Sequence, residues 1–268
     1  MNRRNFLKQA AAAVAIGSVS GASLGHARPQ KLRITHHRLD HRLSFPLRIA
    51  QLTDLHLGWR SRSRLLEDAL AACKRAKPDV VVLTGDYVNH SLKYLDKVEN
   101  FIGLLPKPCV TVLGNHDHWS GAEPVKACIQ RAGGMVLRNQ ALRLKRGTRV
   151  VTFVGVDDGH TGHDDVKAAF KGISDPQRTI VLTHAPTTAR RIEKTGARLV
   201  LAGHTHGGQF DIPSVTRGIA RLAGQPYLSG WYQVGAASLY VNVGIGSSAF
   251  GRRLGKRAHP ELAFFDLG

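Results

Sequence analysis

The stretch LVLAGHTHGG, Leu199 to Gly208, runs through four apolar residues to a glycine and then two histidines one residue apart. The apolar run has the length and character of a strand buried on both faces, and Gly203 ends it. His204 and His206 then fall in the tight turn where the strand exits. In α/β sheets, ligands collect at that end of the strands. Imidazole is the commonest metal ligand among side chains and the one that titrates nearest neutral pH. A lone His-x-His also suits ordinary surface or core histidines, so its meaning depends on how the other strands end.

The same grammar recurs along the chain. Leu47, Ile49 and Leu52 lead into TDLHLG, and DVVVLTGD ends at Asp86. CVTVLGNHDHW, from Cys109, repeats the order of apolar strand, glycine and polar loop, and TIVLTHAP ends at His184. Leu32 and Ile34 suggest an opening strand, while VVTFVGVDDG, LYVNVGIG and ELAFFDLG read as later ones. Between the early strands, Leu66, Leu70 and Cys73 share a helical face that Pro78 closes. Leu95, Val98, Ile102 and Leu105 mark a second helix, and residues 122 to 132 a third. Helices alternating with strands early and strands dominating late predict an α/β protein, its sheet largely parallel at first and mixed afterwards. If the strands lie in adjacent sheets, their exits converge. That gathers Asp54, His56, Asp86, Asn115, His116, Asp117, His184, His204 and His206 on one face.

Carboxylates and imidazoles buried together are costly unless paired or bound to metal. Nitrogen and oxygen donors without thiolate suit Mn, Fe, Zn or Co. Seven ligands exceed what one tetrahedral ion takes, and suit two ions that share a carboxylate.

The ordered blocks D-L-H, G-D, G-N-H-D, H and G-H-T-H, spanning Asp54 to His206, resemble the calcineurin-like metallophosphoesterase superfamily. The N-terminus and the ending LYVNVGIGSSAFGRRLGKRAHPEL resemble its exported branch of bacterial phosphodiesterases, related to enzymes that cleave the pyrophosphate of UDP-2,3-diacylglucosamine. The resemblance implies a four-layer α/β/β/α sandwich with two mixed β-sheets and a site for two divalent metal ions, Mn, Zn or Fe. Asp54, His56 and His206 would hold one ion, Asn115, His184 and His204 the other, and Asp86 both. His116 would stand beside the metals as acid or hydrogen-bond donor, with Asp117 orienting it. Such a pair clamps a phosphoryl group and turns a bridging water into a hydroxide nucleophile. The implied activity is hydrolysis of phosphodiester or pyrophosphate bonds.

The first 27 residues read as a signal peptide. Arg3-Arg4 followed by Phe6, Leu7 and Lys8 resembles a twin-arginine signal, an Ala-rich run comes next, and Gly25-His26-Ala27 ends it. Residues 28–268 then form one metallophosphoesterase domain, exported to the periplasm or cell envelope. The formal charge is +19, and only three of the 38 basic residues fall in the signal. Such a surface favours polyanions, hence peripheral association with an anionic membrane or envelope. No nucleic-acid motif accompanies the charge, so no specific nucleic-acid partner is expected. An exported nuclease and a catalytically inactive binding module are the rival readings, and the second conflicts with a complete ligand set. Cys73, Cys109 and Cys128 form no C-x-x-C pair and read as core residues. The basic loop GWRSRSR is read as exposed, a phosphate or lipid head-group contact being the alternative, and Asp157 to Asp165 of VDDGHTGHDD as a solvated loop near the site, an extra metal loop being the alternative. Trp119 and His118 either line the pocket or pack, and Arg252 and Arg253 carry no assigned role.

Overall fold

The computed structural model describes residues 31–41, 43–58, 61, 63–208, 215–247, 253 and 258–268. The twin-arginine segment, Trp59, Arg60, Arg62 and Arg252 lie outside the described residues. Two six-stranded sheets organise the rest. The first runs in the order β1 (Arg33–Leu39), β12 (Glu261–Leu267), β2 (Leu47–Leu52), β3 (Val80–Thr84), β4 (Cys109–Val112), β5 (Gly134–Val136). Strands β2 to β5 are parallel, and β12 lies antiparallel to β2. The second sheet runs β10 (Gly230–Val234), β11 (Ala237–Val241), β9 (Leu199–Ala202), β8 (Thr179–Leu182), β7 (Arg149–Gly155), β6 (Gln140–Arg146). Its central four strands are parallel, with antiparallel β6 and β10 at the edges. Both sheets are therefore mixed.

Side chains alternate across each strand, and that alternation makes the layers. On β3, Val81 and Leu83 pack against helices α1 (Ser63–Ala76), α2 (Leu95–Leu104) and α3 (Asn115–Arg131), among Leu65, Cys73, Ile102 and Ile129. Val80 and Val82 turn the other way and meet Phe153, Ile180, Leu182 and Leu201 of the second sheet. The far face of that sheet, with Val154, Val181 and Val200, is covered by α4 (Val166–Ala169) and α5 (Ala189–Ile192). The result is a helix, sheet, sheet, helix sandwich, as the resemblance implies. Among the described residues no helix is long and apolar enough to cross a membrane. The three cysteines are buried free thiols.

Three local expectations change. Helix α1 buries Leu65, Ala69, Ala72 and Cys73, leaving Leu66 and Leu70 half-buried, a face rotated by one position from the leucine pattern. Small alanines let the helix sit close to the sheet. The G-N-H-D block is not a loop: Gly114 caps α3, which starts at Asn115 and is broken at Gly121 (φ +129) before continuing to Arg131. Loop 156–165 is not simply solvated, because Asp157 and Asp158 are buried. Asp157 binds Arg138 at 2.7 Å and His118 at 2.8 Å, and Asp158 accepts from Thr161.

Candidate metal centre

The exits of β2, β3, β4, β8 and β9 meet at one edge of the sandwich. Backbone bonds lock them together: Asp54 N–H donates to the Gly85 carbonyl (2.9 Å), His56 to Asp86 (3.0 Å) and Gly203 to His184 (3.1 Å). Asp54, His56, Asp86, His204 and His206 all adopt positive φ, between +45° and +78°. Asp and His tolerate this region better than most residues, yet each such residue costs on the order of 1–3 kcal/mol. The strain turns each side chain out of the strand's own alternation and toward the common centre.

Gly85 shows why the short block G-D begins as it does. It has φ +96°, and a Cβ there would lie 2.6 Å from Gly114 N and 2.8 Å from His184 Nδ1. Gly85→Ala is expected to cost about 2–4 kcal/mol of stability, from positive φ and overpacking together. Thermal unfolding checks this; an unchanged midpoint would mean the two loops are not held in contact.

Two ligand groups lie side by side, with Asp86 between them. In the first, His206 Nε2 lies 3.0 Å from His56 Nε2 and 3.4 Å from Asp54 Oδ1. Asp54 Oδ2 is held by Thr53 Oγ1 and His204 N–H, while the buried Oδ1 has no hydrogen-bond partner. In the second, Asn115 Oδ1 lies 3.0 Å from His184 Nε2 and 2.8 Å from His204 Nδ1. Asp86 Oδ2 stands between them, 3.5 Å from His56 Nε2 and 3.3 Å from His184 Nε2. Its other oxygen accepts from the His116 amide. The groups Asp54–His56–His206 and Asp86–His184–His204 can each hold an ion. His56, Asp86 and His116 form a third such group, which brings His116 closer to the metal positions than the sequence resemblance implied.

These residues fit divalent cations. His184 Nδ1 lies 2.7 Å from the Thr84 carbonyl and can only donate there, which turns the Nε2 lone pair toward the centre. Burial opposes charge on Asp54 and Asp86, yet the surrounding histidines hold both carboxyls well below their usual range. Burial pushes His204 down to about 4 and His206 well below its ordinary value. Burial also lowers His184, but Asp86 outweighs it and raises the ring overall, so a proton there competes with a cation. Two anionic carboxylates facing imidazole nitrogens, with one carboxylate oxygen orphaned, suit a cation.

His116 is buried, its ring 4.6 Å from that of His56, and burial first of all pushes it down to about 3. Asp117 does not orient it. The Asp117 carboxylate accepts from the backbone amides of Asp86, Tyr87 and Gly114 at 2.8–2.9 Å, so it pins the β3 exit to the start of α3. An acid at the third helical position is drawn to free amides before a ring on its own helix.

Four neighbours escaped the sequence reading. Arg253 is buried, its Nη1 donating to the Val243 and Gly244 carbonyls and its Nη2 to His206 Nδ1 at 2.7 Å. With Nδ1 engaged, the neutral His206 ring carries its proton on Nε2. Coordination there requires that proton to leave, or to move to Nδ1 at the expense of the Arg253 contact. Thr53 steadies Asp54, and His90 and His160 pack beside His116 and His204. Of these, His160 stood out as a histidine in an acidic loop after a strand and Arg253 only as part of the basic tail, without a role.

Residues 47–208 match the model of the calcineurin-like phosphoesterases. The chain belongs to that family. It is 32% identical to the metallophosphoesterase YkuE of Bacillus subtilis over 100% of this chain and 98% of that protein. It is 31% identical to the phosphodiesterase YaeI of Escherichia coli over 100% of this chain and 99% of that one. In fold it is similar to a 5'-nucleotidase precursor from Thermus thermophilus, with TM-score 0.50 and 16% identity over 83% of this chain and 54% of that chain. The phosphoesterase is thus a metal-dependent phosphohydrolase, with Asp/His clusters placed to hold its metals.

Proposed function

We propose that the chain hydrolyses phosphodiester or pyrophosphate bonds at a centre for two divalent ions. The observation that carries this reading is Asp86 Oδ2, part of the His184–His204 group and 3.5 Å from His56 Nε2 of the other group. Two such ions supply Lewis acidity toward a phosphoryl group and lower the pKa of water enough to give a nucleophile at neutral pH. The protein's own residues do the rest. Asp54, His56 and His206 would hold one ion, Asn115, His184 and His204 the other, and Asp86 would serve both. Asn115 supplies oxygen without a charge that would repel the substrate. His116, neutral in its buried position, donates a hydrogen bond to a phosphoryl oxygen where charge grows. Similarity to YaeI favours diesters, and envelope phosphoesters such as UDP-2,3-diacylglucosamine-like compounds are the proposed substrate range.

The test is the purified chain loaded with Mn or Zn and offered bis(p-nitrophenyl) phosphate, a UDP-linked pyrophosphate and DNA. Hydrolysis of the first two that chelator abolishes supports the proposal. Hydrolysis of DNA alone would favour the nuclease, and no hydrolysis with both metals bound would favour a binding module.

Export by the twin-arginine route, with electrostatic attachment afterwards to an anionic envelope surface, is the proposed location; the basic excess of the chain supports it. Arg3→Lys with Arg4→Lys is expected to keep the protein in the cytoplasm. Raising salt from 0.1 to 1 M shortens the Debye length from about 10 Å to about 3 Å and is expected to release the exported protein. Fractionation reads both; release by detergent only would contradict electrostatic attachment.

A further inference from the structure

Trp119 lies on the first stretch of α3, three residues beyond His116, and is 51% exposed. Its ring is 5.1 Å from that of His116 and lies parallel to His90 at 5.8 Å, with an interplanar angle of 5°. His160 meets it edge-on at 5.9 Å, and His160 in turn packs 4.7 Å from the ligand candidate His204. A run of ring contacts therefore leads from His204 through His160, and from His56 through His116, to the half-exposed indole. The Gly121 break (φ +129) stops α3 from continuing regularly past this point.

The indole stays half-exposed beside a buried polar centre, with an apolar body and a polar N–H available to a ligand. His90 stacks on the ring, His116 meets it tilted and His160 edge-on, and half of the residue stays exposed. Imidazoles add donors and acceptors around that ring. An acyl chain would gain nothing from those polar edges. A planar heterocycle gains from both the face and the edges.

We propose, building on the hydrolase reading above, that Trp119 with His90 and His160 forms a subsite for a nucleobase, so that the substrate is a nucleoside-containing phosphodiester or pyrophosphate. The phosphoryl group sits at the metal groups and the base stacks on Trp119. Base-on-aromatic stacking is worth about 5- to 150-fold in affinity.

The test is calorimetric titration of the Mn-loaded chain with adenosine 5'-monophosphate, ribose 5-phosphate and inorganic phosphate. The wild-type chain is expected to bind the nucleotide about 5- to 150-fold more tightly than ribose 5-phosphate. Trp119→Ala is expected to erase that difference while keeping the metal content and the ribose 5-phosphate affinity, and Trp119→Phe to retain most of it. Equal wild-type affinity for the two would overturn the subsite. So would a Trp119→Ala chain that loses both affinities alike, or one that keeps the nucleotide preference. Any of these results, with hydrolysis of bis(p-nitrophenyl) phosphate intact, would sink the subsite alone. Absence of all phosphoester hydrolysis would sink the hydrolase reading beneath it.

Discussion

Asp86→Ala is expected to lose both metal ions and nearly all hydrolysis. Asp86 Oδ2 lies 3.5 Å from His56 Nε2 of one ligand group and 3.3 Å from His184 Nε2 of the other, so the proposed bridge reaches both as no other single residue is proposed to. Removing the centre forfeits several kcal/mol of transition-state stabilisation, about 10³-fold or more in rate. Oδ1 also accepts the His116 amide, so the alanine chain leaves a buried donor unmet. Asp86→Asn keeps an oxygen acceptor at that position and removes the charge. It is expected to fold with a near wild-type thermal midpoint and still fail to hold both ions. Elemental analysis of the folded variant decides the matter; two ions retained would mean Asp86 is not the bridge.

His116→Ala is expected to reduce turnover by about 10²–10³-fold, the range for losing one buried donor to developing charge. The loss should be equal for aryl and alkyl esters. A general acid would matter more for the poorer alkyl leaving group. The structure argues against a protonated His116, since burial pushes the ring down to about 3 and nearby cations would disfavour the imidazolium further. The ring is then neutral throughout the range around pH 7, and the rate should show no limb there that His116→Ala removes. Turnover of paired aryl and alkyl diesters across pH reads both points. A selective alkyl loss, or a limb abolished by the substitution, would make His116 an acid.

Much of this site was legible because the chemistry is written at strand ends. Fully buried strands such as Val80–Thr84 and Leu199–Ala202 are unbroken apolar runs, and the polar residues just beyond them stand out. The edge strands Gln140–Arg146 and Gly230–Val234 were not legible, since half-exposed strands mix polar and apolar residues. The start of α3 was missed because its first turn carries Asn, His and Asp for the site rather than an apolar stripe. Asp117 and Arg253 show a different limit. Their residue types are visible, but a carboxylate serving backbone amides and a guanidinium reaching back to His206 depend on contacts far apart in sequence.

Asp86 is proposed to join two metal positions into one centre. Anomalous scattering from crystals grown with Mn tests it most directly. Two peaks about 3.5–4 Å apart are expected, one against Asp54, His56 and His206, the other against Asn115, His184 and His204, with Asp86 touching both. A single peak at full occupancy in an active enzyme, or two peaks with Asp86 on only one, would contradict it.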